Sequence, residues 1–177
     1  EEEKFRAVVN PFGVMYNPVS VLHTVKKVAN HTFNTAVFTL GTNHVYVERA
    51  TGEIVDNCQK RPQREFKERE LTVEECAEAL REAITLLRQA NPKVKVIITI
   101  SPIRYAKYGY HGSQLSKAVL LLAADKLEKE EGETVYYFPA YEIVNDELRD
   151  YRFYKADMLH PNEQAVEYIW ERLVDVY

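Results

Sequence analysis

Residues 93–101 read KVKVIITIS, an apolar, β-rich run from Val96 to Ile100 that stops at Ser101. A strand this continuously apolar is covered on both faces. That is the pattern of a parallel sheet between helices, not of an antiparallel sheet with one wet side. The flanks agree. Upstream, LTVEECAEALREAITLLRQANP opens with a capping box, Thr72 with Glu75, and closes before Pro92. Within it Val73, Ala77, Leu80, Ile84 and Leu87 recur at helical spacing. Downstream, SQLSKAVLLLAADKLEKEEG predicts a helix with an apolar first half, a charged second half and Gly132 as its stop.

The same alternation extends in both directions. TAVFTL (35–40) predicts another covered strand ending at Gly41, and TVYYFP (134–139) a third. NPVSVLHTVKKV (17–28) reads as an amphipathic helix with Asn17 as N-cap, Pro18 at its first position, and Val21, Leu22, Val25 and Val28 on one face. HVYVERATGEIVDN alternates around Ala50, Thr51 and Gly52, as a hairpin projecting from the main sheet would, and the polar stretch after Cys58 reads as a loop. A short helical stretch near 140–148 and an aromatic loop, RDYRFYKAD, lead to a final helix with Pro161 in its first turn. Strands alternating with helices define an α/β fold, a three-layer α/β/α sandwich with a mostly parallel sheet.

Composition narrows the function classes. At 177 residues and 46% hydrophobic the chain can bury one good core, so residues 1–177 read as a single domain. A formal charge of −4 with acids and bases intermixed offers no basic patch for nucleic acid. The longest apolar run, AVLLLAA, falls well short of the ~20 residues that cross a bilayer. Cys58 and Cys76 form no CxxC motif and have no histidine at metal-ligand spacing, so reduced thiols and a cytoplasmic setting are expected. No strand leads into GxGxxG or GxxxxGK, which argues against a nucleotide cradle.

In a parallel sheet, ligands bind beyond the carboxyl ends of the strands. Those ends are followed by GTNH, SPIRY and PAYE, and DMLH precedes the last helix. A histidine near an aspartate, with an asparagine just past a strand, supplies parts of an acyl-transfer site. Each residue also has a plain structural reading. Asp157 can cap a turn against which His160 packs, and Asn43 can close the turn after Gly41. Ser101 and Arg104 end a strand, where Arg104 can bind a substrate carboxylate or pair with an acid of the protein. Ser113 reads as a helix N-cap. His44 and His111, in loops near the same edge, can touch substrate or simply face solvent, and the aromatics of RDYRFYKAD can stack on a sugar or cover the core edge.

GTN (Gly41 to Asn43) followed much later by DMLH (Asp157 to His160) resembles the third and fifth conserved blocks of the SGNH hydrolases, relatives of the GDSL esterases. More closely, VNPFGVMYNPVSV, FTLGTNHVY, NCQK, SPIRY, QLSKAVLLLA and VYYFPAYEIVNDELRDYRFYKADMLHPNEQAVEYIW resemble successive motifs of the bacterial GSCFA family, over nearly the whole chain. The resemblance implies a flavodoxin-like, SGNH-hydrolase-like sandwich and a serine esterase needing no metal or cofactor. Its substrate would be a small or carbohydrate-linked ester, such as an O-acetyl ester. It implies His160 as general base, Asp157 as its partner, and Asn43 with the Gly13 backbone N–H as oxyanion donors; Gly13 otherwise reads as a turn glycine. Ser101, Arg104 and His44 would border the substrate.

The motif that names the family, Gly-Ser-Cys-Phe-Ala, does not occur in the 177 residues, which leaves the nucleophile unassigned. The resemblance implies an N-terminal strand and that motif ahead of Glu1, and a longer passage near residues 28–32. The competing expectation is a non-catalytic binding module on the same scaffold, because a base and an oxyanion hole without a nucleophile cannot form an acyl-enzyme.

Overall fold

The computed structural model describes residues 18–28, 31–55 and 61–177. The expected N-cap at Asn17 and the oxyanion role of Gly13 fall outside them. Two compact units are distinguishable, one formed by residues up to Asn34 with His44–Val94, the other by Thr35–Asn43 with Lys95–Tyr177.

In the second unit, β1 (Thr35–Leu40), β5 (Lys95–Ile100) and β6 (Val135–Phe138) form a parallel sheet in the order β1-β5-β6. Thr35 pairs with Lys95 and Leu40 with Ile100, while Val96 pairs with Val135, so all three strands end along one edge. The central strand is covered as its sequence predicts, with Val96, Ile98 and Ile100 at most 1% exposed. β1 is not. Its residues alternate, with Thr35, Val37 and Thr39 exposed and Ala36, Phe38 and Leu40 half-buried. Both threonines stand on the wet face, and counted as polar they show this two-residue period in the sequence.

Helix α3 (Gly109–Glu131) connects β5 to β6 and therefore runs antiparallel to both. Its buried residues, Ser113, Ser116, Lys117, Leu120, Ala123, Ala124 and Leu127, follow a helical stripe that is polar in its first turns and apolar beyond. Burying Leu120 and Leu127 contributes about 1.5–3 kcal/mol each. The helix begins at Gly109 and not at Ser113, so Ser113 is no N-cap. A helical turn, Ala140–Glu142, runs into a π turn, Ile143–Leu148, which ends on Arg149 in the left-handed region. Helix α4 (Glu163–Val176) is capped by Asn162, whose side chain accepts from Ala165 N–H. Pro161 therefore stands before the cap and not within the first turn. The inner face of α4, with Tyr168, Ile169 and Leu173, packs with Leu148 against Ile97, Phe138, Ala140 and Ile143.

The first unit holds α1 (Pro18–Val28), α2 (Val73–Ala90) and an antiparallel sheet in the order β3-β2-β4. In α1 the residues buried are Ser20, Thr24 and Val25; of the four expected to share a face, only Val25 is among them. The expected hairpin is β2 (His44–Glu48) with β3 (Ile54–Val55), turning at Gly52 with φ 76°. The stretch taken for a loop contains β4 (Phe66–Glu70), antiparallel to β2. FKERE has little strand propensity, and its place comes from the partner strand and from Phe66, the one fully buried residue of the five. The capping box of α2 forms as predicted, with Glu75 N–H donating to Thr72 Oγ1 and Thr72 N–H to Glu75.

Candidate active site

Beyond the parallel strands the chain is held by a network that starts at α3. Because α3 runs antiparallel to the strands, its polar first turns meet their carboxyl ends. Ser116 Oγ accepts from Asn43 N–H at 2.9 Å and lies 3.0 Å from Thr42 Oγ1, fixing the GTN turn after β1. Asn43 is 2% exposed. Lys117 Nζ donates to Gly41 O at 2.5 Å and to Ser101 O at 2.6 Å, joining the ends of β1 and β5. Ser101 N–H also donates to Leu40 O, so the ladder between the two strands continues past Ile100.

Lys117 is the residue that sequence reading missed. It is 1% exposed, and no carboxylate pairs with it among the described residues. Burial pushes its ammonium down to about 7, against the two carbonyl oxygens that favour the charged form. A single lysine at an apolar register of QLSKAVLLLA was the available signal. Tyr105 closes the same corner. Its ring lies 5.2 Å from Lys117 Nζ, its N–H donates to Ser113 Oγ, and its hydroxyl occupies the space that a Cβ on residue 41 would need. A side chain at residue 41 would have to displace that hydroxyl. Burial raises the Tyr105 hydroxyl pKa.

The loop after β5 is joined to the DMLH turn. Arg104 N–H donates to Leu159 O at 3.0 Å, and the turn is closed by Met158 N–H to Lys155 O and Lys155 N–H to His160 O. Met158 adopts φ 60°. Asp157 serves both roles that its sequence left open. Its Oδ1 accepts from Leu159 N–H at 2.8 Å and His160 N–H at 3.0 Å, as a turn cap does. Its Oδ2 lies 2.6 Å from His160 Nδ1. The two backbone donors, and then the imidazole, hold the Asp157 carboxyl down at about 2. An ionised carboxylate only accepts, so Nδ1 carries the proton and Nε2 of neutral His160 presents a lone pair. That nitrogen has no hydrogen-bond partner among the described residues and sits on a half-exposed ring. The arrangement can accept a proton from a group brought to Nε2.

The remaining expected residues are placed as follows. Ser101 Oγ accepts from Ile103 N–H at 3.4 Å, and its carbonyl is taken by Lys117. Arg104 places its guanidinium over the rings of Tyr154 and Tyr151. His44 opens β2 in the other unit, where its Nε2 lies 4.0 Å from Glu70. His111 falls within α3 and not in a loop. The chain has four serines, and the three in the second unit, Ser101, Ser113 and Ser116, do not hydrogen-bond to His160. Cys76 is a free, buried thiol whose pKa burial raises to about 11, which makes it a poor nucleophile. Among the described residues no three His, Cys, Asp or Glu side chains are placed to hold a metal ion, and no helix is long and apolar enough to cross a membrane.

A parallel sheet flanked by helices, with an Asp–His turn and a buried asparagine in its loops, defines an α/β protein. The GSCFA family model matches residues 27–173, and the chain belongs to that family. The crystal structure of a carbohydrate esterase family 3 from Talaromyces cellulolyticus superposes with a TM-score of 0.53 at 15% identity, over 90% of this chain and 66% of the other. This chain thus spans just under two thirds of that chain's length, and the likeness is one of fold. A protein from Streptococcus pneumonia described as a candidate platelet activating factor gives 0.48 at 11% identity, over 99% of each chain. A comparison with curated proteins finds no match.

Proposed function

We propose that this chain carries the base, the orienting carboxylate and the oxyanion arm of an SGNH-type serine ester hydrolase acting on a small or carbohydrate-linked ester, including O-acetyl esters. The observation that supports it is the 2.6 Å contact between His160 Nδ1 and Asp157 Oδ2, made by a carboxylate that two backbone donors already hold in place. In this reading Nε2 takes the proton of a serine hydroxyl as its oxygen attacks the ester carbonyl. The same nitrogen then returns the proton to the leaving alkoxide, and the cycle repeats with water to release the acid. Asp157 keeps the ring in the tautomer that can do this. Asn43, held through its backbone by Ser116, and the Gly13 N–H supply oxyanion donors, each contributing about 2.7–4 kcal/mol to the transition state. The nucleophile is the serine of the Gly-Ser-Cys-Phe-Ala motif, which these 177 residues do not contain. The carbohydrate part of the proposal is drawn by analogy from the Talaromyces enzyme of like fold.

The alternative is a non-catalytic binding module on the same scaffold, which would bind an ester without forming an acyl-enzyme. Fluorophosphonate, which reacts with base-activated serines, separates the two. Intact mass of the protein as encoded in its gene should show one phosphonyl adduct that is lost in His160→Ala, with ester turnover lost in parallel. A folded protein that takes no adduct would be a binding module.

A further inference from the structure

Arg104 is half-buried and held at both ends. Its N–H donates to Leu159 O, the residue before His160, and its guanidinium carbon lies 4.2 Å from the Tyr154 ring centroid and 5.2 Å from that of Tyr151. No acid of the protein reaches it among the described residues. By contrast, Arg61, Arg69, Arg81, Arg152 and Arg172 each meet a carboxylate. A guanidinium stacked on aromatic rings uses its faces and leaves its N–H edges for an in-plane partner. The Tyr154 hydroxyl is buried and also has no partner among the described residues. A native fold seldom leaves such a donor unspent. Of the two roles the sequence left open for Arg104, pairing with an acid of the protein is not seen among the described residues.

We infer that Arg104, stacked on Tyr154 and Tyr151 beside the DMLH turn, binds a carboxylate carried by the substrate, so that the ester this site takes is an anionic one. The inference rests on the hydrolase reading for the word ester and on Arg104 alone for the charge. A carboxylate fits better than a phosphate because one fork-shaped cation neutralises one charge and matches two coplanar oxygens.

Binding of 4-hydroxybenzoate and 4-hydroxybenzamide, which share a ring and differ in charge, is measured by calorimetric titration, so the result does not depend on turnover. The expected result is that wild type binds the carboxylate about tenfold tighter or more, the effect of a charge-assisted pair. Arg104→Met should abolish the preference, Arg104→Lys should keep only part of it, having charge without the fork, and His160→Ala should retain it. Equal binding of the two compounds, binding of neither, or a folded Arg104→Met that keeps the preference overturns the inference. If Arg104→Met does not fold by circular dichroism, an undiminished preference in Arg104→Lys overturns it equally. The hydrolase reading fails separately. A carboxylate preference without fluorophosphonate labelling leaves an anion-binding module, while labelling without the preference leaves a hydrolase of neutral esters.

Discussion

At the scale of single residues the DMLH turn shows how one carboxylate does two jobs. Oδ1 of Asp157 is used by the backbone of Leu159 and His160 and Oδ2 by the imidazole, so the ring is oriented by a group that is itself immobilised. Its depressed pKa, about 2 against 3.8, sets a pH window. The ionised form is the one the fold favours, so its contribution is present above about 3.8 and fades as pH falls towards about 2. Loss of turnover at mildly acid pH would therefore not come from Asp157. Asp157→Asn keeps an acceptor for the backbone but misorients Nδ1–H. Turnover should fall by about 10²–10⁴-fold with the circular dichroism unchanged. Asp157→Ala should also lower the melting temperature; full turnover in Asp157→Asn would leave the aspartate only its turn. The Asp–His pair was legible from its spacing alone. That capping and orienting coexist was not, because the two readings compete in a sequence and are reconciled only by the two oxygens of one side chain.

At the scale of elements, α3 acts as the brace of the site. Its stripe changes from apolar to polar where it reaches the strand ends, and Ser116 there holds both Thr42 and Asn43. Ser116→Ala removes that hold without touching any reacting atom. Under the role proposed for Asn43, steady-state kinetics should show kcat down about ten- to a hundredfold and KM nearly unchanged, since an oxyanion donor acts in the transition state more than in binding. A change confined to KM would move Asn43 to substrate binding. The strands β5 and β6, and helices α2 and α4, were readable because periodicity and capping agree along each of them. β4 was not, because only Phe66 of its five residues is fully buried and a polar edge strand, paired on one side only, resembles a loop. Lys117 was overlooked for the opposite reason: its neighbours make the segment so clearly a buried helix that the one charged residue passes as solvated.

At the scale of the whole molecule Lys117 couples stability to pH. The unfolded chain holds its proton to about 10.5 and the folded one only to about 7. Between those values the unfolded state binds more protons, and this residue's contribution to stability rises with pH by up to about 1.4 kcal/mol per unit. In Lys117→Met that slope is absent. The stability difference, wild type minus variant, should grow from pH 7 to pH 9.5 in denaturant melts, and a difference independent of pH would mean the lysine stays charged in the fold. The α/β class was legible at this scale, as was the common edge at which the parallel strands end. The antiparallel sheet of the first unit lies, in sequence, between two strands that pair with each other.

That arrangement has a consequence for how the molecule reaches its fold. β1 and β5 are hydrogen-bonded neighbours, with Thr35 beside Lys95, yet His44–Val94 separates them and belongs to the other unit. Closing so long a flexible loop slows folding, as non-local pairing does generally. If the intervening unit condenses first, its ends need only be brought together as the ends of a structured insert. The barrier to forming the parallel sheet is then governed by the span across that insert, so that destabilising the hairpin sheet, far along the chain from Asp157 and His160, slows assembly of the strand ends on which the site depends.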